Sequence, residues 1–333
     1  MIIQDNGNIK LIQKFIDKNW QKNHILSKNN KIFNWLHYNK LEKKYNFLIF
    51  KKKNNILGFL GIVKNSKFSY ELKKFDTVWL TTWIAKKTEL GVGIKLLMYS
   101  IANYKYSKIG TVGCNENVKK IYEYLGFYTG SLTQYYIVNQ KIKVYNIGKF
   151  RKKYYNKFYK EDSSLNIVSN FNFKKFKKDY HNYVKIFEKN EDYFNNKYFK
   201  NPFYKYLVFE FVKKNKLIGY YFARECYYKG SKCLRIVDFF GNIKKIFDCS
   251  VSFKKFIETN NYEFVDLYFY GNVKNNTYFL KNEFNNNTIV PNYFEPFSKK
   301  NITINFAIMN KKKTSKFYLF KGDCDQERPN FIK

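Results

Sequence analysis

Two short stretches of this sequence carry residue types and spacings suited to chemistry. In the first, Gly91-Val92-Gly93 follows an uncharged apolar run, Thr77 to Ala85, and precedes helical spacing from Ile94 to Asn103. Two glycines two apart let the backbone turn tightly and approach a ligand closely. The N–H groups of such a loop and of the first helical turn converge on one spot, where the helix dipole adds partial positive charge. That combination can cradle a diphosphate, although a lone Gly-x-Gly is equally a loop that simply turns. In the second stretch, a strand over Ile109 to Cys114 leads through Asn115 into a helix over Glu116 to Tyr124, closing at Leu125-Gly126-Phe127. Gly126 suits the left-handed position that ends a helix. Tyr122 lies two helical turns beyond Asn115, and without further context it is one of 31 tyrosines with a packing role.

The surrounding pattern says what positions these residues. Asn8 to Trp20 and Lys31 to Tyr38 have helical apolar spacing. Tyr45 to Phe50 and Ile56 to Val63 read as strands around the turn signal Asn54-Asn55. Thr77 to Ala85 and Ile109 to Cys114 are further strands, and Leu132 to Val138 is the last strand expected of the N-terminal half. Two helices, a meander, then strand–helix–strand–helix–strand give an α/β fold with a mixed sheet. The C-terminal half repeats the theme more loosely. Tyr206 to Val212 and Leu217 to Glu225 form a hairpin, Leu234 to Phe240 a strand, Val251 to Glu258 a helix, and Phe264 to Tyr270 a strand; Ile302 to Met309 and Phe317 to Phe320 are strands too. The expected division is a domain over 1–145, a linker with helical character over 146–180, and a second, degenerate copy over 181–333.

Taken together, the two motifs resemble the GCN5-related N-acetyltransferase family, in which a loop Arg/Gln-x-x-Gly-x-Gly/Ala follows the fourth strand. The family's later motif, Asn-x-x-Ala-x-x-Leu-Tyr-x-x-Leu-Gly-Phe, is matched in spacing by Asn115, Val118, Ile121, Tyr122, Leu125, Gly126 and Phe127. The Arg/Gln position is Thr88, so a long pyrophosphate donor is missing, with Lys86, Lys87 and Lys95 near enough to substitute electrostatically. The resemblance implies an acyl-CoA N-acyltransferase fold, two such domains in tandem, and acetyl-CoA or another short acyl-CoA as co-substrate with no metal. It implies that the backbone of Trp83, Ile84 and Ala85 pairs with the pantetheine arm. The N–H groups of Thr88, Glu89, Leu90, Gly91, Val92, Gly93 and Ile94 would hold the diphosphate, and Asn115 would bond pantetheine. Tyr122 would protonate the departing thiolate, a reasonable task for a phenol with a reference pKa of about 10.

Attack on a thioester needs a neutral amine, and so a base. His24 is the first candidate and His37 the second, because both fall where the family's early helices wall the acceptor site; Asp76 and Glu89 are expected to be solvated. Cys114 is expected in the core at the end of its strand. The stretch His24…Trp35-Leu36-His37, the run from Leu234 to Asp238, the run from Ile289 to Phe297 and the polar tail Gly322 to Asn330 resemble members of the family found in surface-polysaccharide gene sets. This implies a small amine acceptor such as a nucleotide- or lipid-linked amino sugar, with transfer in a ternary complex. In the tail, Asp323, Asp325, Gln326 and Arg328 suit a salt-bridged turn, and could also line the acceptor site or hold a cation; Arg224, Arg235 and Asp238 in strands need partners if buried. Phe240-Gly241-Asn242 offers no second Gly-x-Gly, so no second CoA site is expected.

Composition bounds these readings. The 333 residues include 45% hydrophobic ones, enough for two cores. A net charge of +36 suggests nucleic acid, yet only four arginines contribute, and bidentate contacts to bases and phosphates favour Arg. Scattered Lys among Asn, Tyr, Phe and Ile reflects compositional drift, and CoA, nucleotide sugars and a membrane surface are also anionic. Nucleic acid is therefore not the expected partner; peripheral membrane contact stays open. Five cysteines without a CxxC pair suit neither a metal site nor a disulfide framework. No signal peptide is read at the start, and no apolar run reaches the ~20 residues of a membrane span, so a cytoplasmic protein is expected. Two rivals remain: a tandem aminoacyl or peptidyl transferase using aminoacyl-tRNA, and a non-catalytic module that binds CoA or an acyl chain.

Overall fold

The computed structural model describes residues 1–3, 8–150, 163–284, 287–311 and 317–330. In chain order, its main elements begin with α1 (Ile9–Asn19), α2 (Asn30–His37), β1 (Phe47–Lys52), β2 (Asn55–Lys64), β3 (Thr77–Ala85) and α3 (Val92–Asn103). Next come β4 (Lys108–Cys114), α4 (Glu116–Tyr124), β5 (Tyr128–Ser131), β6 (Thr133–Val138), β7 (Ser163–Val168) and α5 (Tyr180–Phe187). The remainder are β8 (Leu207–Lys213), β9 (Lys216–Tyr228), β10 (Ser231–Gly241), α6 (Ser250–Thr259), β11 (Phe264–Tyr270) and β12 (Asn305–Asn310). No helix among them is long and apolar enough to cross a membrane.

The chain divides into two compact units. The first comprises everything up to Gly130, β12, and the residues from Cys324 onward; the second comprises the rest. In the first unit the sheet order is the short strand Ile2–Ile3, then β1-β2-β3-β4-β12-β5. β1, β2 and β3 form an antiparallel meander, whereas β3 and β4 are parallel. β12 completes this sheet antiparallel to β4, with Met309 opposite Ile109. In the second unit the order is β7-β8-β9-β10-β11-β6, ending at Leu280–Lys281. β6 runs antiparallel to β11, with Val138 opposite Phe264. The strand expected to finish the N-terminal half therefore joins the sheet of the second unit, and a strand from far along the chain joins the first beside β4.

Local sequence explains most elements. Asn8 caps α1 by accepting a hydrogen bond from Leu11 N–H, and Ile12, Phe15 and Ile16 form the buried stripe. α3 buries Leu96 and Leu97 against a sheet face built from Leu48, Leu60, Ile62, Val78, Leu80 and Ile109, which also receives Tyr122 and Phe127. Each fully buried Leu or Ile there contributes about 1.5–3 kcal/mol. On the other face, Phe33 of α2 packs on Phe47 and Phe59 at ring separations of 6.1 and 6.4 Å. β7 was not visible in the sequence, because half of its residues are polar and neither face is buried; it lies where a linker was expected, at the edge of the second sheet.

Candidate active site

Strand β3 is paired to β4 only over Thr77–Lys108, Val78–Ile109 and Trp79–Gly110. Beyond Trp79 and Gly110 the two strands continue to Ala85 and Cys114 without pairing, so the sheet opens into a cleft between their C-terminal ends. One cause lies on the opposite edge of β3. Its register with β2 shifts between Leu60 and Gly61, leaving Thr82 as an extra residue with φ of +32°. Such a bulge bends the strand that carries it. The β4-facing edge of Trp83, Ile84 and Ala85 thus has no ladder partner among the described residues, the arrangement an extended ligand arm needs for pairing like an added strand.

The loop after Ala85 leads into α3. Gly91 is its N-cap, with φ of +76° and no side-chain cap, and the first turn holds no acidic residue. Val92, Gly93 and Ile94 thus present first-turn N–H groups that an α-helix cannot satisfy internally. Lys87, Thr88, Leu90 and Gly91 are exposed, while Glu89 is half-buried and its N–H donates to Lys86 O. Gly93 lies under the Trp83 indole, whose Nε1 donates to Gly93 O at 3.1 Å. Of the lysines that could replace the missing donor at Thr88, Lys87 and Lys95 are exposed, and Lys95 has its ammonium 5.9 Å from the Phe50 ring centroid.

Tyr122 is fully buried on α4, its ring 5.9 Å from Trp83 and 4.8 Å from Phe127. Burial, with Cys114 and Cys324 alongside, raises its phenol well above the usual tyrosine value, so it stays protonated at neutral pH. Asn115 caps α4: its Oδ1 accepts from Val118 N–H at 2.9 Å, which leaves only the Nδ2 end for a ligand. Cys114 is partly buried at the cleft edge, and burial lifts its thiol to about 11.

The base candidates do not fare equally. His24 caps the short helix Ile25–Lys28, its Nδ1 accepting from Leu26 N–H at 3.2 Å. In the neutral ring that leaves Nε2 as the N–H nitrogen, with no lone pair to accept a proton. Burial, and the Arg328 guanidinium, push its pKa down to about 4. His24 is a structural cap rather than the base its position suggested. His37 is fully buried, and burial, reinforced by the Lys67 ammonium, depresses it to about 3 against the weaker opposing pull of Asp325 and the Ile62 backbone. Asp76 is not solvated as expected: it is buried, accepts hydrogen bonds from Ser66 N–H and Oγ–H, and is pushed up to about 6 by burial.

The polar tail belongs in part to the first unit. Cys324 Sγ lies 3.8 Å from Leu80 O, and Gln326 Nε2 donates to Val112 O at 3.0 Å. These are backbone groups of β3 and β4 just past the last paired residues. Asp325 Oδ2 accepts from Arg328 Nε at 3.1 Å, the salt-bridged turn expected of this stretch. Nothing in the sequence places this turn beside the cleft, because the pairing is entirely non-local.

The second unit has the same parallel start, with Leu234, Arg235 and Ile236 opposite Val265, Asp266 and Leu267. There the space beyond is taken by the chain itself. Leu319 and Phe320 pair with Tyr270 and Phe269, and Gly322 N–H donates to Val237 O at 2.7 Å. Arg235 is fully buried and forms a two-point pair with Asp266, donating also to Pro291 O and Asn292 O. Lys189 ties Asp238 and Asp323 together at 2.8 Å each. Arg224 stacks its guanidinium 4.3 Å from the Tyr204 ring centroid.

No protein-family model and no curated protein matches the sequence. Solved structures do. The GCN5-related N-acetyltransferase from Anabaena variabilis ATCC 29413 superposes with a TM-score of 0.56 at 12% identity, covering 92% of this chain and 72% of that one. A conserved Enterococcus faecalis V583 protein of unknown function gives 0.51 at 10% identity, over 85% and 70% of the two chains. The GCN5-related N-acetyltransferase from Kribbella flavida gives 0.50 at 7%, over 93% and 70%. With the strand order and the cleft between β3 and β4, these likenesses give the chain the mixed α/β fold of the GCN5-related N-acetyltransferases.

Proposed function

We propose that the first unit transfers an acetyl or other short acyl group from acyl-CoA to an amine, an amino sugar of surface-glycan synthesis being the preferred acceptor. The observation that carries this reading is the divergence of β3 and β4 immediately beside the uncapped N-terminus of α3. One side of the cleft offers unpaired backbone from Trp83 to Ala85 for a pantetheine arm, and its mouth offers N–H groups from Val92 to Ile94 for a diphosphate. Lys87 and Lys95 supply the long-range attraction for phosphate that Thr88 lacks. In this reading Tyr122, kept protonated by burial, gives its proton to the thiolate as the carbon–sulfur bond breaks. Transfer is direct, since Cys114 is held as the thiol and is a poor nucleophile. In the second unit the corresponding opening is filled by Leu319 to Gly322, so this reading puts the acyl-CoA in the first unit alone.

The test is titration calorimetry of acetyl-CoA against the full chain and against Gly93→Trp, followed by thiol release with amino-sugar and polyamine acceptors. Wild type is expected to bind at micromolar affinity. The added indole, meeting Trp83 across the cradle, weakens binding by about tenfold or more, equivalent to about 1.4 kcal/mol. Tyr122→Phe keeps acetyl-CoA affinity and lowers kcat by about 100-fold, the low end for a lost general acid. A folded wild type that ignores acetyl-CoA removes this function.

A further inference from the structure

We propose that Asp325, in the polar turn of the C-terminal segment, is the acceptor-side carboxylate of the first unit: it holds the ammonium and takes the proton that must leave before the amine can attack. This rests on the acyl transfer proposed above. The turn is wedged at the crotch of the cleft, with Cys324 against Leu80 O of β3 and Gln326 against Val112 O of β4. Gly113 leaves no room for a Cβ there, since one would lie 2.2 Å from Gln326 Nε2. The segment is therefore fixed at the two strands whose separation makes the cleft, and Asp325 lies between its two anchors.

The carboxylate is committed on one side only. Oδ2 accepts from Arg328 Nε, while Oδ1 has the Cys324 thiol, a weak donor, at 3.5 Å. Its side chain is 10% exposed, and its charge reaches both His24 and His37, while Cys324 lies beside Tyr122. A carboxylate of the C-terminal turn and a protonated phenol of α4 thus approach the same crotch.

An independent set of groups marks where an acceptor would lie. The hydroxyls of Thr81 and Thr82 are buried without a hydrogen-bond partner, and the buried His37 ring beside them has only the Ile62 backbone to bond. His37 and Thr81 meet over one spot of the sheet: the Cβ position of Gly61 is 2.6 Å from His37 Cε1 and 2.5 Å from Thr81 Oγ1. Unpartnered buried polar groups of this kind carry a desolvation penalty that a polar ligand removes. The acceptor assigned here is a hydroxyl-bearing primary amine, with its ammonium toward Asp325. In the reaction Asp325 first takes one proton from the ammonium, and the neutral nitrogen bonds to the thioester carbonyl carbon. The Tyr122 proton passes to sulfur as the carbon–sulfur bond breaks, and the second nitrogen proton returns to the Tyr122 phenolate. Water then removes the proton from Asp325.

The experiment uses the full chain with acetyl-CoA and two acceptors. One is glucosamine, or the best primary amine of the acceptor screen; the other is hydroxylamine, which is already neutral at pH 7. Asp325→Asn is expected to bind acetyl-CoA with wild-type affinity and to keep the wild-type melting temperature. Its kcat/KM for the primary amine falls about 100-fold, and the fall with hydroxylamine is less than about tenfold, because that nucleophile has no ammonium proton to lose. Asp325→Glu, which keeps a carboxylate, retains more activity than Asp325→Asn. Full activity of Asp325→Asn with the primary amine overturns the proposal. Equal losses for both acceptors, with Glu no better than Asn, make Asp325 a structural residue and overturn it too. Failure of the wild type to bind acetyl-CoA or to turn over either acceptor overturns the donor reading itself, and the proposal with it.

Discussion

At the scale of single residues, the structure separates groups that the sequence could only name together. His24 and His37 looked alike as scarce imidazoles before and within a helix; one is a cap and the other a fully buried ring. His24→Asn keeps a side chain that caps well, so it is expected to preserve the melting temperature and most of the turnover. A hundredfold loss of kcat in that variant would restore His24 as the base. Gly91 and Gly93 differ in the same way. A Cβ at Gly91 meets no atom within 4 Å, but the residue holds φ of +76°, so Gly91→Ala costs about 1–2 kcal/mol of backbone strain without filling the cradle. A Cβ at Gly93 lies 3.1 Å from Trp83 Nε1, so substitution there acts through the cleft wall. Melting curves and acetyl-CoA affinities of the two alanine variants separate these effects.

At the scale of elements, the short-range signals were the readable ones. Thr77 to Ala85, Glu116 to Tyr124 and Phe264 to Tyr270 have the bounds that apolar runs and caps give them. Helix and strand periodicity is local, so it can be read without knowing what an element packs against. The bulge at Thr82, the divergence of β3 from β4 and the wedge of Cys324 to Gln326 depend on neighbours distant in sequence, and no local pattern encodes them. The packing of α2 on β1 and β2 has a testable pH dependence. His37 titrates near 6.5 when unfolded and is pushed down to about 3 when folded, so the unfolded state binds the extra proton between those values. Its contribution to stability is complete above about pH 6.5 and falls by about 1.4 kcal/mol per pH unit on acidification below that. Thermal melts between pH 7 and pH 5 are expected to show a shallower slope in His37→Leu than in wild type. Equal slopes would show that this ring is not the titrating group.

At the scale of the whole molecule, the two units are not cut where composition suggested. Each sheet contains a strand distant in sequence from the neighbour it pairs with: β12 beside β4 in the first, β6 beside β11 in the second. A fragment of residues 1–145 contains both motifs, yet it lacks β12 and ends with a strand that has no sheet to join. Such a fragment is expected to be aggregated or to lack a cooperative melt, whereas addition of a β12 peptide restores some order. A fragment that melts cooperatively by itself would show that β12 is dispensable. The same arrangement explains why motif reading located the donor loop and missed the turn at Asp325. A motif records neighbours along the chain, whereas β12 and the tail are neighbours only across the sheet.

The exchange of strands also sets a timetable. A ribosome completes β1 to β5 long before it reaches Asn305, so during synthesis β4 presents an unpaired edge that its partner cannot yet cover. Open edges of this kind recruit other strands, and long-range pairing is slow to form. The nascent first unit therefore waits, exposed, for nearly the whole remainder of translation, and a message cut short between Phe127 and β12 yields a chain that carries both motifs without a closed sheet to hold them.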